Sequence, residues 1–238
     1  MSNILITGAT SGIGKGLTEF YAKQSHQVTA CGRNQKVLDE LESSVGAKSK
    51  AFDLTNREEI EDHFKDIDGL DLVILNAGGC EYIDNPNQFD GYLFERVMHI
   101  NVISIGHCLD VLLPKIKSGG QLCIVSSSSA FLPLPRAEAY GASKAAVSYL
   151  ARTLTATLKD IDVTLVHPGF VETPLTDKND FPMPFIVSVD EAVSYISKGI
   201  EKRSKEIHFP KRFTLFLKLL RLLPFSLWLP LAKRIARG

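Results

Sequence analysis

A strand that runs straight into a glycine turn and then a helix constrains the architecture of this chain more than any other feature. Ile4-Leu5-Ile6 is a short apolar run of the kind buried in a sheet. Thr7-Gly8-Ala9-Thr10-Ser11-Gly12-Ile13-Gly14 follows it, and beyond the turn Leu17, Phe20 and Tyr21 recur on one helical face. Glycines let a backbone approach an anion closely, and free amides at a helix N-terminus carry partial positive charge, so the arrangement is a phosphate cradle. Gly14-Lys15 looks like the end of a nucleoside-triphosphate loop. That reading fails, because Ala9 stands where the motif needs its first glycine and Gly16 where it needs Ser or Thr.

Further along, strand-like apolar runs at Gln27 to Cys31, Lys48 to Phe52, Asp71 to Leu75, Gln121 to Val125 and Val163 to Val166 alternate with helical stretches. The helices are expected near Gly12 to Lys23, Lys36 to Ser44, Arg57 to Lys65, Tyr92 to Lys117, Glu138 to Lys159 and Asp190 to Lys202. Alternation of this kind predicts an α/β fold, a Rossmann-type doubly wound parallel sheet with ligands at the carboxyl ends of its strands. The 238 residues suit one domain, here drawn as 1–209, followed by a basic, hydrophobic C-terminal extension at 210–238. The proline-containing stretch from Thr173 to Val189 reads as a loop and short lid.

The chemistry is suggested by Tyr140 and Lys144, which on a helix sit one turn apart and face the same way. A phenol loses its proton near pH 10 in water, at about the value of a free tyrosine. A nearby ammonium is expected to stabilise the phenolate and bring that value toward the working range of a proton-transfer group.

Taken in order, Thr7-Gly8-x-x-x-Gly12-x-Gly14, Asn76-Ala77-Gly78, Asn101, the serines Ser126 to Ser129, Tyr140-x-x-x-Lys144 and Pro168-Gly169-x-x-x-Thr173 resemble the short-chain dehydrogenase/reductase family over about residues 3 to 175. The resemblance implies an NAD(P)-dependent oxidoreductase that moves a hydride between a nicotinamide and a carbonyl or secondary alcohol. It assigns proton transfer to Tyr140, and to Lys144 both the tuning of that tyrosine and the holding of the cofactor ribose. Ser127, thirteen residues before Tyr140, would orient the substrate oxygen, and Asn101 would tie a water to the lysine. Gly8, Thr10, Ser11, Gly12, Ile13 and Gly14 would cradle the pyrophosphate. Asp53 would meet the adenine, Asn76, Ala77 and Gly78 would support the cofactor, and Pro168, Gly169, Val171 and Thr173 would flank its nicotinamide end. Alternative readings stay open for several of these: turn formation for Asp53 and Asn76, satisfaction of a helix kink for Asn101, and a helix cap for Thr173.

Cofactor choice turns on the end of the second strand. NAD-preferring enzymes usually place an acidic residue there, which would repel a 2′-phosphate. This chain has Gly32 followed by Arg33, so NADP(H) is favoured over NAD(H). Cys31, Cys80, Cys108 and Cys123 show no paired spacing and are expected to be reduced and structural, and the six histidines offer no metal-ligand spacing. The first strand begins almost at once, so no signal peptide is expected and the cytoplasm is the expected location. No nucleic-acid partner is expected, whereas a homo-oligomer is, through the helices matching Tyr92 to Lys117 and Glu138 to Lys159.

The apolar segments Ala130 to Pro135 and Phe181 to Val187 are expected to wall a pocket for a lipophilic substrate, or else to form lid packing or a subunit contact. From Ile207 onward the chain has seven basic residues and no acidic one, leaving 20 basic and 27 acidic residues in the body. Phe213 to Leu223 reads as an amphipathic helix with Thr214, Lys218 and Arg221 on a narrow polar face, to be broken by Pro224. These apolar stretches are shorter than the about 20 residues needed to cross a bilayer. The tail is therefore either an interfacial helix at the inner membrane surface or an arm packed on the body or a second subunit. Besides a working enzyme, a cofactor-sensing regulator or a membrane-associated scaffold with a vestigial site would fit the same fold.

Overall fold

The structure is a computed structural model and describes residues 1–235. Arg237, one of the seven tail cations, lies outside the described residues. Strand β1 (Asn3–Thr7) leads into α1 (Gly12–Lys23), followed by β2 (Gln27–Gly32), α2 (Gln35–Val45), β3 (Lys48–Ala51), α3 (Arg57–Phe64) and β4 (Leu70–Leu75). The second half comprises α4 (Gly91–Met98), α5 (Ser104–Leu112), β5 (Ile116–Val125), α6 (Glu138–Thr157), β6 (Ile161–Pro168), α7 (Val189–Glu201) and β7 (Glu206–Phe209). Two helices, α8 (Lys211–Leu220) and α9 (Phe225–Ile235), form the extension.

All seven strands are parallel, in the order β3-β2-β1-β4-β5-β6-β7. Side chains alternate across a strand, so a sheet covered on both faces needs apolar residues at every position, and β1 shows how they divide. Ile4 and Ile6 join Leu17, Leu38 and Ile196 of α1, α2 and α7 on one face. Leu5 joins Ile60, Leu109 and Val147 of α3, α5 and α6 on the other. Strand order reverses between β1 and β4, which opens a crevice at their carboxyl ends. The turns after those two strands meet there.

The long helix expected over Tyr92 to Lys117 is interrupted. Residues His99–Ile103 form a π turn between α4 and α5, and the helical path ends around Pro114. Lys117 belongs to β5, which begins at Ile116 because its pairing with β4 starts at Leu70 and then shifts register before Leu72. The segment Gly91–Lys115 is long and apolar enough to span a membrane. Its Ile105, Cys108, Leu109 and Leu112 are nevertheless packed into the core beneath the sheet.

The extension packs against the body. Thr214 is fully buried and bonds His208 Nδ1 at 2.7 Å and the Pro210 carbonyl at 3.0 Å, while Lys218 meets Glu206 at 2.7 Å. The narrow polar face of α8 thus turns toward β7, whose polar side chains supply its partners, and much of the broad apolar face turns outward. Leu217 and Trp228 point inward and close a small core with Phe131 and Leu132. Trp228 Nε1 donates to the Pro133 carbonyl at 3.2 Å.

Candidate active site

At the carboxyl end of β1, Gly8 has φ +67, and a Cβ there would lie 2.8 Å from the Ala77 Cα. Only glycine lets this turn pass so close to the segment after β4. Asn76 fixes the approach. Its amide N–H donates to Thr7 Oγ1 at 3.1 Å, and its side-chain Nδ2 donates to the carbonyls of Thr7 and Gly8 at 3.2 and 3.3 Å. Ala77 N–H also donates to Thr7 Oγ1, at 3.2 Å. Ser11 caps α1 without a side-chain bond to its first turn, so Gly12, Ile13 and Gly14 keep their amides for an anion. The Thr173 methyl packs against the Gly12 Cα, joining the turn to the segment after β6. These features fit a dinucleotide pyrophosphate.

At the end of β2, Gly32 has no room for a larger residue: a Cβ would sit 2.6 Å from the Thr10 methyl. Arg33 is 73% exposed and lies 3.6 Å from Asp53 at the end of β3. Asp53 accepts from the Thr55 amide and hydroxyl, both at 2.9 Å. Burial acts to raise its pKa, but the Thr55 bonds and Arg33 outweigh it and hold the carboxyl below its usual value. Asp53 thus stabilises its own turn through Oδ1 and faces Arg33 with Oδ2.

The central chemistry lies between β5 and α6. Tyr140, Lys144 and Ser127 line one cavity of about 200 Å³, together with Ile13, Gly78 and Thr173. Lys144 is buried and donates to the Val125 carbonyl at 3.1 Å. Burial lowers its pKa to about 8, while Cys80 opposes the shift. Tyr140 is half-buried as a residue and lines the cavity. Its pKa is raised, first by burial and then by Cys80, while hydrogen bonding with Ser127 pulls the other way. The expected lowering by Lys144 is therefore not what this arrangement produces. The ammonium lies 5.8 Å from the ring centre, and desolvation of the phenolate dominates.

Within the serine cluster, Ser126 is buried toward α6, donating to the Lys144 carbonyl at 2.8 Å and bonding Ser148 Oγ at 2.8 Å. Ser127 begins the 3-10 turn Ser128–Ala130, and its Oγ accepts from the Ser129 amide at 3.1 Å. Asn101 is fully buried in the π turn. Its Oδ1 accepts from Gly79 N–H at 2.8 Å, and its Nδ2 donates to the Gly79 carbonyl and to Ser143 Oγ, both at 2.9 Å. Gly78 lies between this amide and the lysine: a Cβ would meet Asn101 Oδ1 at 2.8 Å and Lys144 Nζ at 3.2 Å. Pro168, Gly169 and Val171 also line the cavity, and Gly169 N–H donates to the Phe209 carbonyl at 2.7 Å. Thr173 caps no helix. Its amide donates to Thr176 Oγ1 at 3.1 Å in the turn that starts the lid.

The cavity walls differ from expectation. Leu134 and Pro135 are present, but Phe131 and Leu132 lie beneath the C-terminal helices, and Phe185 and Ile186 are exposed. Phe170 from the loop after β6 and Phe213 and Leu217 from α8 take their place. Cys31, Cys108 and Cys123 are buried free thiols whose pKa values burial raises. Cys80, in contrast, lines the cavity beside Tyr82. Two further residues escaped the sequence reading. Arg136 adopts φ +65 and reaches both Asp84 and Asp180 at 2.8 Å, tying two loops at the cavity mouth. His167 is buried directly behind Ser127. A larger groove of about 990 Å³ lies at the opposite ends of the strands, where Lys23 and Lys198 are balanced by Glu19 and Glu201. It contains none of this chemistry.

A family model described as short chain dehydrogenase matches residues 2–182. An uncharacterized oxidoreductase of Myxococcus xanthus is 33% identical over 247 residues, covering 97% of this chain and 96% of that protein. The solved short-chain dehydrogenase of Sphingobium yanoikuyae in complex with NADPH is 25% identical, with TM-score 0.79, and the match covers 94% of this chain and 97% of that one. A short-chain dehydrogenase from Streptomyces avermitilis superposes with TM-score 0.84 at 21% identity over 100% of this chain and 97% of its own. With the glycine cradle, the Tyr140–Lys144 pair and these relatives in agreement, the chain belongs to the short-chain dehydrogenase/reductase family, whose members bind a nicotinamide cofactor, and is an NAD(P)-dependent oxidoreductase.

Proposed function

We propose that the protein transfers a hydride between NADP(H) and the carbonyl or secondary alcohol of a lipophilic small molecule. The convergence of Tyr140, Ser127 and Lys144 on a cavity that Leu134, Phe170, Leu175, Phe213 and Leu217 also line carries this reading. The nicotinamide, when bound, gives or takes the hydride. Charge then develops on the substrate oxygen, which needs a proton and an aligned donor. A phenol kept protonated by burial can supply that proton, and Tyr140 has that character. The Ser127 hydroxyl orients the same oxygen. Lys144, poised near its pKa, holds the ribose side and exchanges the proton onward. Asn101 Oδ1 accepts from Gly79 and keeps a second lone pair that can hold a water beside Lys144.

The preference for NADP(H) rests on the packing of Thr10 over Gly32, which leaves no place for a 2′-phosphate-repelling carboxylate at that position, and on the exposed Arg33 guanidinium beside it. Tyr92, Ile103 and Tyr149 lie exposed around the packed helices α4 and α6, which supports assembly as a homo-oligomer. The direct test is turnover of lipophilic and polar carbonyls and alcohols with each cofactor. Turnover of the lipophilic set with NADPH is the expected result. Cofactor binding without turnover across the panel would favour the sensing regulator instead.

A further inference from the structure

The extension is amphipathic in an inverted sense. Its inner side is satisfied by the body: Thr214 on His208, Lys218 on Glu206, and Leu217 and Trp228 on Phe131 and Leu132. Its outer side is apolar, with Phe216 57% exposed, Leu219 64%, Leu222 79%, Phe225 64% and Leu227 58%. On α8, residues 215, 216 and 219 follow helical spacing and form one face, and Leu222 is exposed in the turn that follows. Contiguous apolar surface of this size marks an interaction site.

The charges around it indicate the occupant. Lys211, Arg212, Arg221, Lys233 and Arg234 are exposed, and among the described residues none of them pairs with a carboxylate. From Ile207 to Gly238 there is no acidic side chain, while the body carries the compensating negative charge. In a two-fold contact between copies, a patch meets itself, so these cations would face cations and the contact would carry repulsion. An anionic lipid surface offers both complements, phosphate headgroups for the cations and acyl chains for the leucines and phenylalanines. At 10 and 11 residues, α8 and α9 are each too short to span a bilayer, which leaves them lying in its interface.

We propose that the outward face of α8 and α9 docks the protein on an anionic lipid surface. Because Phe213 and Leu217 of the same helix line the catalytic cavity, docking brings that wall to the lipid, from which a lipophilic substrate can be drawn. This consequence for substrate supply rests on the function proposed above; the docking itself does not.

The test uses full-length protein sedimented with phosphatidylcholine vesicles, with and without phosphatidylglycerol, at low and high salt. Binding to the anionic vesicles is expected, reduced but not abolished by salt. The double substitution Phe216→Glu/Leu219→Glu, which leaves the cavity wall intact, should lower partitioning by about tenfold or more while thermal unfolding and NADPH binding stay unchanged. Arg212→Glu/Arg221→Glu should remove chiefly the salt-sensitive part. Tyr140→Phe should bind vesicles like the wild type, so a failure of the catalytic assignment is separable from a failure of docking. Wild-type protein that stays in the supernatant with anionic vesicles overturns the proposal. So does a wild-type dimer, indifferent to vesicles, that Phe216→Glu/Leu219→Glu converts to monomer, because the face then serves self-association.

Discussion

The Nδ1 atom of His167 lies 3.0 Å from the main-chain carbonyl oxygen of Ser127, with the imidazole wholly buried beneath the Phe131 ring. A carbonyl only accepts, so Nδ1 carries the proton and donates it, leaving Nε2 facing Glu206 Oε1 at 3.8 Å. Glu206 in turn meets Lys218 of α8. The buried ring thus lies between Ser127 and the Glu206–Lys218 pair that holds α8. His167→Ala should lower kcat by about 10- to 100-fold through misplacement of Ser127, with little change in NADPH affinity. His167→Gln, whose amide can still donate to that carbonyl, should recover much of the loss. Equal damage by both substitutions would reduce His167 to core packing.

The same ring sets an acid dependence of stability. Burial lowers the pKa of His167 to about 4, against the bond to Ser127 and the nearby Glu206, while Arg152 and Lys218 add to the lowering. His208 is lowered to about 4 as well, by burial first and then by Lys218 and Lys211. An unfolded histidine titrates at about 6.5, so between about 6.5 and 4 the unfolded chain takes protons that the folded one refuses. Stability from these groups is complete above that window and declines as pH falls through it. Urea unfolding at several pH values should show this slope, and His167→Gln should flatten it. A stability unchanged across the window would contradict the assignment.

For Tyr140 and Lys144 the expected effects differ in kind. Tyr140→Phe should leave NADPH binding intact and cut turnover by about 10²- to 10⁴-fold, the usual worth of a positioned proton donor. Lys144 titrates at about 8, so NADPH affinity should weaken as pH rises through that value and the ammonium loses its charge. Lys144→Met should bind more weakly and abolish that pH dependence. Cofactor fluorescence titrations with both variants measure each effect separately.

Much of this site was legible because its signals are local in sequence. The glycine turn, the Tyr140–Lys144 spacing and the order of the motifs each depend on a few neighbouring residues, and parallel α/β topology then brings their strand ends together. His167 was not legible, since a histidine at the end of an apolar strand reads as packing until β5 places Ser127 beside it. Arg136 depends on two loops, around Asp84 and Asp180, that only the fold brings to its guanidinium. The period of α8 was legible, but which of its faces is buried was not. Helical spacing shows that Thr214 and Lys218 share a face, and only the polar partners on β7 decide that this face is the buried one. The phenol pKa failed for a related reason, because spacing reveals a nearby ammonium but not the desolvation that outweighs it.

Cofactor discrimination can be tested at one residue. Arg33→Ala should weaken NADPH by about tenfold or more and leave NADH nearly unchanged, because only the former carries a 2′-phosphate for the guanidinium. Removal of Arg33 also frees Asp53, 3.6 Å away, whose uncompensated charge would further disfavour the phosphate. Equal weakening of both cofactors would shift recognition to the neighbouring hydroxyls of Thr10 and Ser11.

The only tryptophan of the chain, Trp228, makes the contact between extension and body directly observable. It is buried against Phe131, Leu132 and Leu217, and its indole N–H bonds the Pro133 carbonyl. Emission from the wild type should therefore be that of an apolar environment and should shift red when the tail detaches. Trp228→Ala removes a large buried side chain, a change that typically costs about 3–5 kcal/mol, here borne by the docking of α8 and α9. Limited proteolysis should then cut the variant near Leu222–Pro224 while the sheet stays folded. Because Phe213 and Leu217 wall the cavity, KM for a lipophilic substrate should rise with NADPH affinity unchanged. Trp228→Phe, which keeps most of the packing and loses the hydrogen bond, should lie between the two. A Trp228→Ala variant with intact substrate affinity would show that the cavity wall stands without the tail's anchor.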